Sequence, residues 1–96
     1  MNAIITSEKL NKYFFITKKA LEKAKKALDT SRLKEAEDFL DMAQRYYDDA
    51  QFFLEKKDDA VLAFAALNYA HGWLDAGARI KLFKVTDSQL FTVDEQ

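Results

Sequence analysis

Four side chains that can donate, accept or titrate are spaced along one apolar stretch of the sequence. They are Asn68, His71, Asp75 and Arg79, separated by steps of three and four residues. On a helix these steps place the four side chains within an arc of about 80°. Asp75 then stands one turn from both His71 and Arg79, so it can orient the imidazole or pair with the guanidinium.

We call these four residues the polar strip, and it has a structural and a functional interpretation. In the structural one, which we favour, the strip is a solvated surface with a weak ion pair, or Asn68 and Arg79 bind the end of the first helix or the tail. In the functional one, Gly72 leaves an opening through which a ligand or a protein backbone reaches the strip. Arg79 would suit an anion or a phosphate group. The four residues are therefore candidate ligand-binding residues.

Other site chemistry is poorly supported by the composition. The chain has no Cys and one His, which removes disulfides, thiolate chemistry and the common zinc patterns. The stretch around the polar strip contains no Ser or Thr that could act as a nucleophile. The adjacent acids Asp48 and Asp49 diverge by about 100° on a helix, so we interpret them as solvated surface. We predict no catalytic residue, no metal and no cofactor.

The elements that must position the strip are helices. The chain has no Pro and two Gly, and apolar residues recur at steps of three and four in three stretches. This pattern predicts helices over residues 7–28, 32–57 and 60–82, with Thr6 or Ser7 and Asp58 or Asp59 as candidate N-caps. Short connections then predict an all-α, antiparallel up-down-up three-helix bundle.

Each predicted helix carries an apolar seam. The seams are Leu10, Phe14, Thr17, Leu21, Ala24 and Leu28; Leu33, Ala36, Leu40, Ala43, Tyr47, Ala50 and Leu54; and Ala63, Ala66, Ala70, Trp73, Gly77 and Ile80. The second helix adds an aromatic row, Phe39, Tyr46 and Phe53, for a second neighbour. The third is apolar almost all round, so we expect it to be buried in the middle of the bundle. At Gly77 we expect another backbone to approach closely.

The domain organisation follows from where the helical pattern stops. We predict a helical bundle domain over residues 1–83 and a partly ordered tail over residues 84–96. Four apolar residues of this tail could pack back onto the bundle or onto a partner, namely Val85, Leu90, Phe91 and Val93.

The net charge of −1 is unevenly distributed. Glu8 to Leu28 holds seven Lys and two Glu, whereas Asp29 to Asp59 holds five basic and ten acidic residues. We interpret this as two neighbouring helices with complementary solvated faces. No apolar run approaches the roughly 20 residues of a membrane span. The start of the chain lacks a basic segment that would direct export, so we expect a cytoplasmic protein without membrane contact.

Several strings resemble the archaeal family catalogued as domain of unknown function 357. They are the segments 46–50, 68–79 and 82–83, and the resemblance extends from about Leu10 to Phe83. It implies a small all-helical archaeal protein with no assigned activity, cofactor or partner. Lys81 stands where we would expect Gly in this family, which leaves the end of the last helix open. The ribonucleases among HEPN domains carry Arg before His, and the reverse order of His71 and Arg79 argues against that activity.

Our leading functional prediction is a non-enzymatic protein-interaction module, with an unknown protein partner or with self-association to a homodimer through the aromatic surface of the second helix. The alternative is a small-ligand or phosphate-binding site, catalytic or not, at the polar strip. A third alternative is weak nucleic-acid binding through the Lys residues of the first helix. We do not favour it, because the chain is acidic overall and we expect that helix, which lacks Arg, to have no interleaved exposed aromatic residues.

Overall fold

The structure, a computed structural model, describes residues 4–91. It contains α1 (Ser7–Lys25), a short 3-10 helix (Thr30–Arg32), α2 (Leu33–Lys57) and α3 (Ala60–Arg79). Within residues 4–91 there is no strand, only an isolated antiparallel bridge between Leu28 and Phe83. The predicted all-α three-helix bundle is confirmed. None of these helices combines the length and the apolar character that crossing a bilayer requires.

Two candidate caps form as the sequence predicts. The Thr6 hydroxyl accepts a hydrogen bond from the Lys9 amide at 3.1 Å, and the Asp59 carboxylate accepts one from the Leu62 amide at 3.0 Å. Each cap satisfies an amide that has no partner inside the helix. The starts of α1 and α3 are therefore fixed by local chemistry.

The first helix ends at Lys25, three residues before the predicted end at residue 28. Its apolar seam continues to Leu28, but the backbone there pairs with the segment after α3. The Asp29 amide donates to the Leu82 carbonyl, and the Lys84 amide donates to the Ala27 carbonyl, both at 2.8 Å. We call these two bonds and the adjacent Leu28–Phe83 bridge the backbone clasp. The Asp29 amide and the Ala27 carbonyl are therefore not available for the hydrogen bonds that would extend α1.

The third helix ends at Arg79 instead of residue 82. Lys81 has a positive φ of 64°, the Leu82 amide donates to the Gly77 carbonyl at 2.8 Å, and the Lys81 amide donates to the Ala78 carbonyl at 3.1 Å. This is the Schellman geometry, in which a left-handed residue closes the helix. The chain therefore reverses at the residue where the family resemblance led us to expect Gly.

Gly77 is explained differently from the prediction. Instead of a neighbouring backbone, the ring of Phe83 lies where a Cβ of Gly77 would be. Phe83 is itself 1% exposed and belongs to the core. The glycine therefore makes room for a residue that follows it by only six positions.

The helices pack through alanines and aromatic pairs. Ala36, Ala43 and Ala50 of α2 are fully buried. Phe39 pairs with Trp73 and Tyr46 with Tyr69, so the contacts run in opposite order along α2 and α3. In α1, Tyr13 contacts Phe64 and Phe14 contacts Tyr47, so that helix reaches both of the others. Leu33 and Ile80, at the ends of the predicted seams, are exposed.

The segment after α3 packs onto the bundle as far as the structure describes it. Phe91 is 2% exposed, and Val85 and Leu90 are partly buried against the core. Lys23 binds Asp87 at 2.6 Å. Val93, the fourth residue that we expected to pack, lies outside the described residues.

Candidate functional site

The polar strip is divided between two surroundings. His71 and Asp75 are half-buried, and the His71 Nε2 lies 3.7 Å from an Asp75 carboxylate oxygen. The Nδ1 of His71 lies 3.3 Å from the Thr17 hydroxyl of α1. When the imidazole proton is on Nε2, the hydroxyl donates to Nδ1 and the N–H points toward Asp75. This arrangement links α3 to α1.

The other two members of the strip are exposed. Arg79 stands in the last turn of α3, and Asn68 lies at the middle of the helix beside Gly72. A Cβ at Gly72 would meet no atom within 4 Å, so this glycine opens onto free space. Asn68 and Gly72 line a groove that neither His71 nor Asp75 lines.

This groove lies between α2 and α3 and has a volume of about 640 Å³. No residue in its lining carries a charge. The lining consists of Phe39 from α2 and, from α3, Ala65, Asn68, Tyr69, Gly72, Trp73 and Ala76. It is therefore an apolar surface with a few neutral polar atoms, unlike the anion site that Arg79 suggested.

Aromatic contacts between the two helices build its walls. Phe39 and Trp73 meet edge to face with ring centroids 5.0 Å apart. Tyr46 and Tyr69 are stacked with centroids 5.2 Å apart. Each of the three rings that line the groove therefore packs against another aromatic ring. The sequence predicted the α2 half of these pairs as an aromatic row and Trp73 as part of the α3 seam, but it did not indicate Tyr69.

A face of α3 continues the groove along the helix. Counted at about 100° per residue, its members lie within about 60° of Gly72. We call it the outer face, and it consists of Val61, Ala65, Asn68, Tyr69, Gly72 and Ala76, all of them exposed. Val61 is 67% and Tyr69 63% exposed. The expectation that α3 is buried in the middle of the bundle is therefore wrong for this side of the helix, because α1 and α2 leave it uncovered.

A second concavity, of about 750 Å³, lies between α1 and α2 and is lined by both signs of charge. The lining residues are Lys18, Leu21, Glu22, Lys25, Leu28, Glu37, Leu40, Asp41, Gln44 and Tyr47. Burial raises the pKa of the Tyr47 hydroxyl above its usual 10.0, so it stays protonated at neutral pH. Here the basic face of α1 and the acidic face of α2 meet.

Metal binding finds no support in the described part of the chain. Within residues 4–91, no three His, Asp or Glu side chains are grouped as metal ligands would be. The polar strip supplies two such groups, His71 and Asp75.

Comparison with known proteins gives one match. A family model described as "Protein of unknown function (DUF357)" matches residues 12–83, which include the whole polar strip, the groove and the outer face. No curated protein and no solved structure matches the chain.

Proposed function

Because the chain belongs to the DUF357 family of proteins of unknown function, its activity has to be inferred from its surface, and we propose that it is a non-enzymatic protein-interaction module. In this proposal the groove between α2 and α3, together with the outer face, receives an apolar helix of a partner protein. The polar strip then serves mainly to hold α3 against α1, through the contact between Thr17 and His71.

The observation that carries this proposal is an exposed apolar surface beside a preformed groove. None of the six outer-face residues is charged, whereas Asp75 and Arg79 of the same helix lie beside them. Burial of apolar surface contributes roughly 25 cal/mol per Å², so a partner that covers the six residues gains free energy. Apolar patches of this kind mark interaction sites on soluble proteins.

The shape of the surface favours a helix over a small molecule. Small ligands are held in clefts that enclose most of their surface. This groove instead opens along α3, and its floor at Gly72 and Ala76 is nearly flat because those side chains are small. A helix with alternating small and large apolar residues can lie along such a surface and contact the rings of Tyr69 and Trp73.

The alternatives from the sequence remain predictions with less support. A phosphate site at the polar strip requires four residues that surround one ligand, whereas Asn68 lies in the apolar groove and His71 contacts α1. For nucleic-acid binding by α1, Lys23 is bound to Asp87 and Lys19 lies 3.9 Å from Glu22, so two of its lysines already have anionic partners. Archaeal origin and cytoplasmic location also stay predictions.

The single Trp of the chain tests the proposal, because Trp73 lines the groove. The probe is a synthetic amphipathic peptide of Leu, Ala, Lys and Glu without Trp. We expect a saturable shift of the Trp73 emission as the peptide is added to dilute protein. The absence of any shift up to about 1 mM peptide, with the protein folded by circular dichroism, would refute the proposal.

Two variants identify the binding surface. Gly72→Lys places a long charged side chain in the groove at a position that tolerates it sterically, and we expect it to abolish the emission shift. Gln51→Lys introduces the same charge on an exposed position of α2, about 160° around that helix from Phe53. This control should bind the peptide like the natural protein. An equal loss of binding in both variants would point to general charge repulsion instead of the groove.

A further inference from the structure

We propose that the cleft between α1 and α2 binds a short apolar peptide of about four residues, held as a zwitterion with both termini free. This site is separate from the surface that the proposed function uses, because none of its lining residues also lines the groove between α2 and α3. The cleft has a volume of about 750 Å³. This volume lies within the range of about 300–1,000 Å³ that is typical of small-ligand sites.

The hydroxyl of Tyr47 is the main reason to expect a ligand here. Tyr47 lines the cleft and is only 8% exposed, and its ring packs edge to face on Phe14 with centroids 5.8 Å apart. Within residues 4–91 the hydroxyl has no hydrogen-bond partner, yet it is not sealed from the cleft. A buried tyrosine hydroxyl usually has a partner. The cleft therefore presents a protonated donor that a ligand can use.

The two walls of the cleft have opposite charges that do not pair with each other. Lys18 and Lys25 come from α1, and Glu37 comes from α2. All three are exposed, and none of them has an ion-pair partner within residues 4–91. The other two acids of the lining are paired within their own helices, namely Glu22 with Lys19 and Asp41 with Arg45. A molecule that carries both charges can therefore bind to each wall at once.

The positions of these charges orient the peptide. Lys18 follows Phe14 by one turn of α1, and Phe14 contacts Tyr47, so Lys18 and Tyr47 lie toward the same end of the cleft. An ammonium group and a hydroxyl donor suit the carboxylate terminus. The amino terminus then lies toward the other end, where Glu37 can accept from it. Lys25 is also at that end, so the orientation depends on Lys18 and Tyr47.

The length of the cleft sets the length of the peptide. Its lining on α2 runs from Glu37 to Tyr47, which is about 15 Å at 1.5 Å per residue. An extended peptide spans about 3.3–3.6 Å per residue, so four residues and the reach of the charged side chains cover this distance. Between the two ends lie Leu21, which is buried, and Leu40, which is partly buried. Apolar side chains of the peptide gain free energy by covering these leucines.

NMR titration of the isotope-labelled chain tests the site, with the peptide Ala-Leu-Leu-Ala as the probe. We expect saturable shifts at the amides of the residues that line the cleft, with a dissociation constant of about 1 mM or below. The absence of a saturable shift up to about 5 mM peptide would overturn the proposal. Saturable shifts confined to groove residues such as Trp73 would overturn it as well. Loss of this site leaves the proposed function intact, since the two surfaces share no lining residue.

A blocked peptide separates charge recognition from apolar contact. Ala-Leu-Leu-Ala that is acetylated at its amino terminus and amidated at its carboxyl terminus has the same side chains without terminal charges. We expect it to bind at least about tenfold more weakly than the free peptide. Equal binding of the two peptides would overturn the zwitterion, because apolar contact alone would then account for the affinity.

Two substitutions test the carboxylate end. Tyr47→Phe removes the hydroxyl and keeps the ring that packs on Phe14, so it should fold like the natural chain and bind the free peptide about fivefold more weakly. Lys18→Gln should weaken binding of the free peptide about threefold, and it should leave a peptide amidated only at its carboxyl terminus within about twofold of its natural affinity.

Lys26→Gln is the matched control, because Lys26 is exposed next to the end of α1 and does not line the cleft. It should bind the free peptide like the natural chain. Equal weakening by Lys18→Gln and Lys26→Gln would indicate a general charge effect and overturn the role of Lys18. Undiminished binding by Tyr47→Phe would overturn the role of the hydroxyl, and with it the reason to place a ligand in this cleft.

Discussion

The ring of Phe83 lies in the space that a side chain at Gly77 would occupy. The contact joins the last turn of α3 to the segment that reverses over it, and Phe83 is buried there. The other glycine of the same helix, Gly72, opens onto free space. The two glycines therefore have opposite roles, one in the core and one at the groove.

Gly77→Ala should destabilise the protein by about 1–3 kcal/mol, because the Phe83 ring must shift from a packed position. Gly72→Ala is the matched control, and it should stabilise the protein by roughly 0.5–1 kcal/mol through helix propensity alone. Urea unfolding followed by circular dichroism measures both free energies. Equal stabilisation by the two substitutions would contradict the contact between Gly77 and Phe83.

Lys81→Gly should stabilise the fold by about 0.5–1 kcal/mol. Lys81 has a φ of 64°, a conformation that glycine adopts without the steric cost of a Cβ. Lys81→Ala is the control for loss of the charged side chain and should leave stability nearly unchanged. If Lys81→Ala matched Lys81→Gly in thermal unfolding, the gain would come from charge removal instead of backbone geometry.

Phe91→Ala should cost about 3 kcal/mol, since the ring is 2% exposed and its removal leaves a cavity. Phe15→Ala removes the same ring from a side chain that is 61% exposed, so we expect a change within about 0.5 kcal/mol. Chemical denaturation compares the two. A small effect at Phe91 would show that the segment after α3 does not contribute to the core.

Acid should weaken the connection between α1 and α2 through Asp29. The Ser31 hydroxyl and amide donate to the Asp29 carboxylate at 2.7 and 2.9 Å, and they hold its pKa below the usual 3.8. A lowered pKa means that ionised Asp29 stabilises the fold above about pH 4, and that this contribution is lost as the pH falls through the folded-state pKa.

Ser31→Ala should raise the pKa of Asp29 toward 3.8, because the hydroxyl bond is the main cause of the shift. Titration of the carboxyl carbon by NMR measures the pKa. Thr30→Ala, at the exposed neighbouring position, should leave the pKa unchanged. An unchanged pKa in the Ser31→Ala variant would show that a different group lowers the pKa of Asp29.

Local patterns in the sequence were enough to predict the helices and their caps. The capping bonds of Thr6 and Asp59 join residues three positions apart, so a short segment of sequence contains every residue that each cap requires. The predicted end of α1 was wrong because it depends on the backbone clasp, which joins residues more than fifty positions apart and leaves no helical period in the sequence. The predicted end of α3 was wrong because Lys81 adopts a left-handed conformation that closes the helix, and the residue type Lys does not signal this conformation.

The groove could not be predicted for a similar reason. Hydrophobic periodicity shows that Phe39 and Trp73 are apolar, but not that their rings meet edge to face and leave space beside Gly72. The apolar character of α3 on all sides indicated burial, whereas the two neighbouring helices leave the outer face uncovered. Which side of an apolar helix stays exposed depends on tertiary packing.

We also expect the backbone clasp to open as one unit, separately from the α2–α3 hairpin. Its bonds join the end of α1 to the segment after α3, so they break together when α1 detaches. All residues that line the groove belong to α2 and α3. Native-state hydrogen exchange should therefore give the amides of Asp29 and Lys84 one shared opening free energy, below that of the α2–α3 hairpin. In that partly open state, the surface that we propose to bind a partner would still be intact.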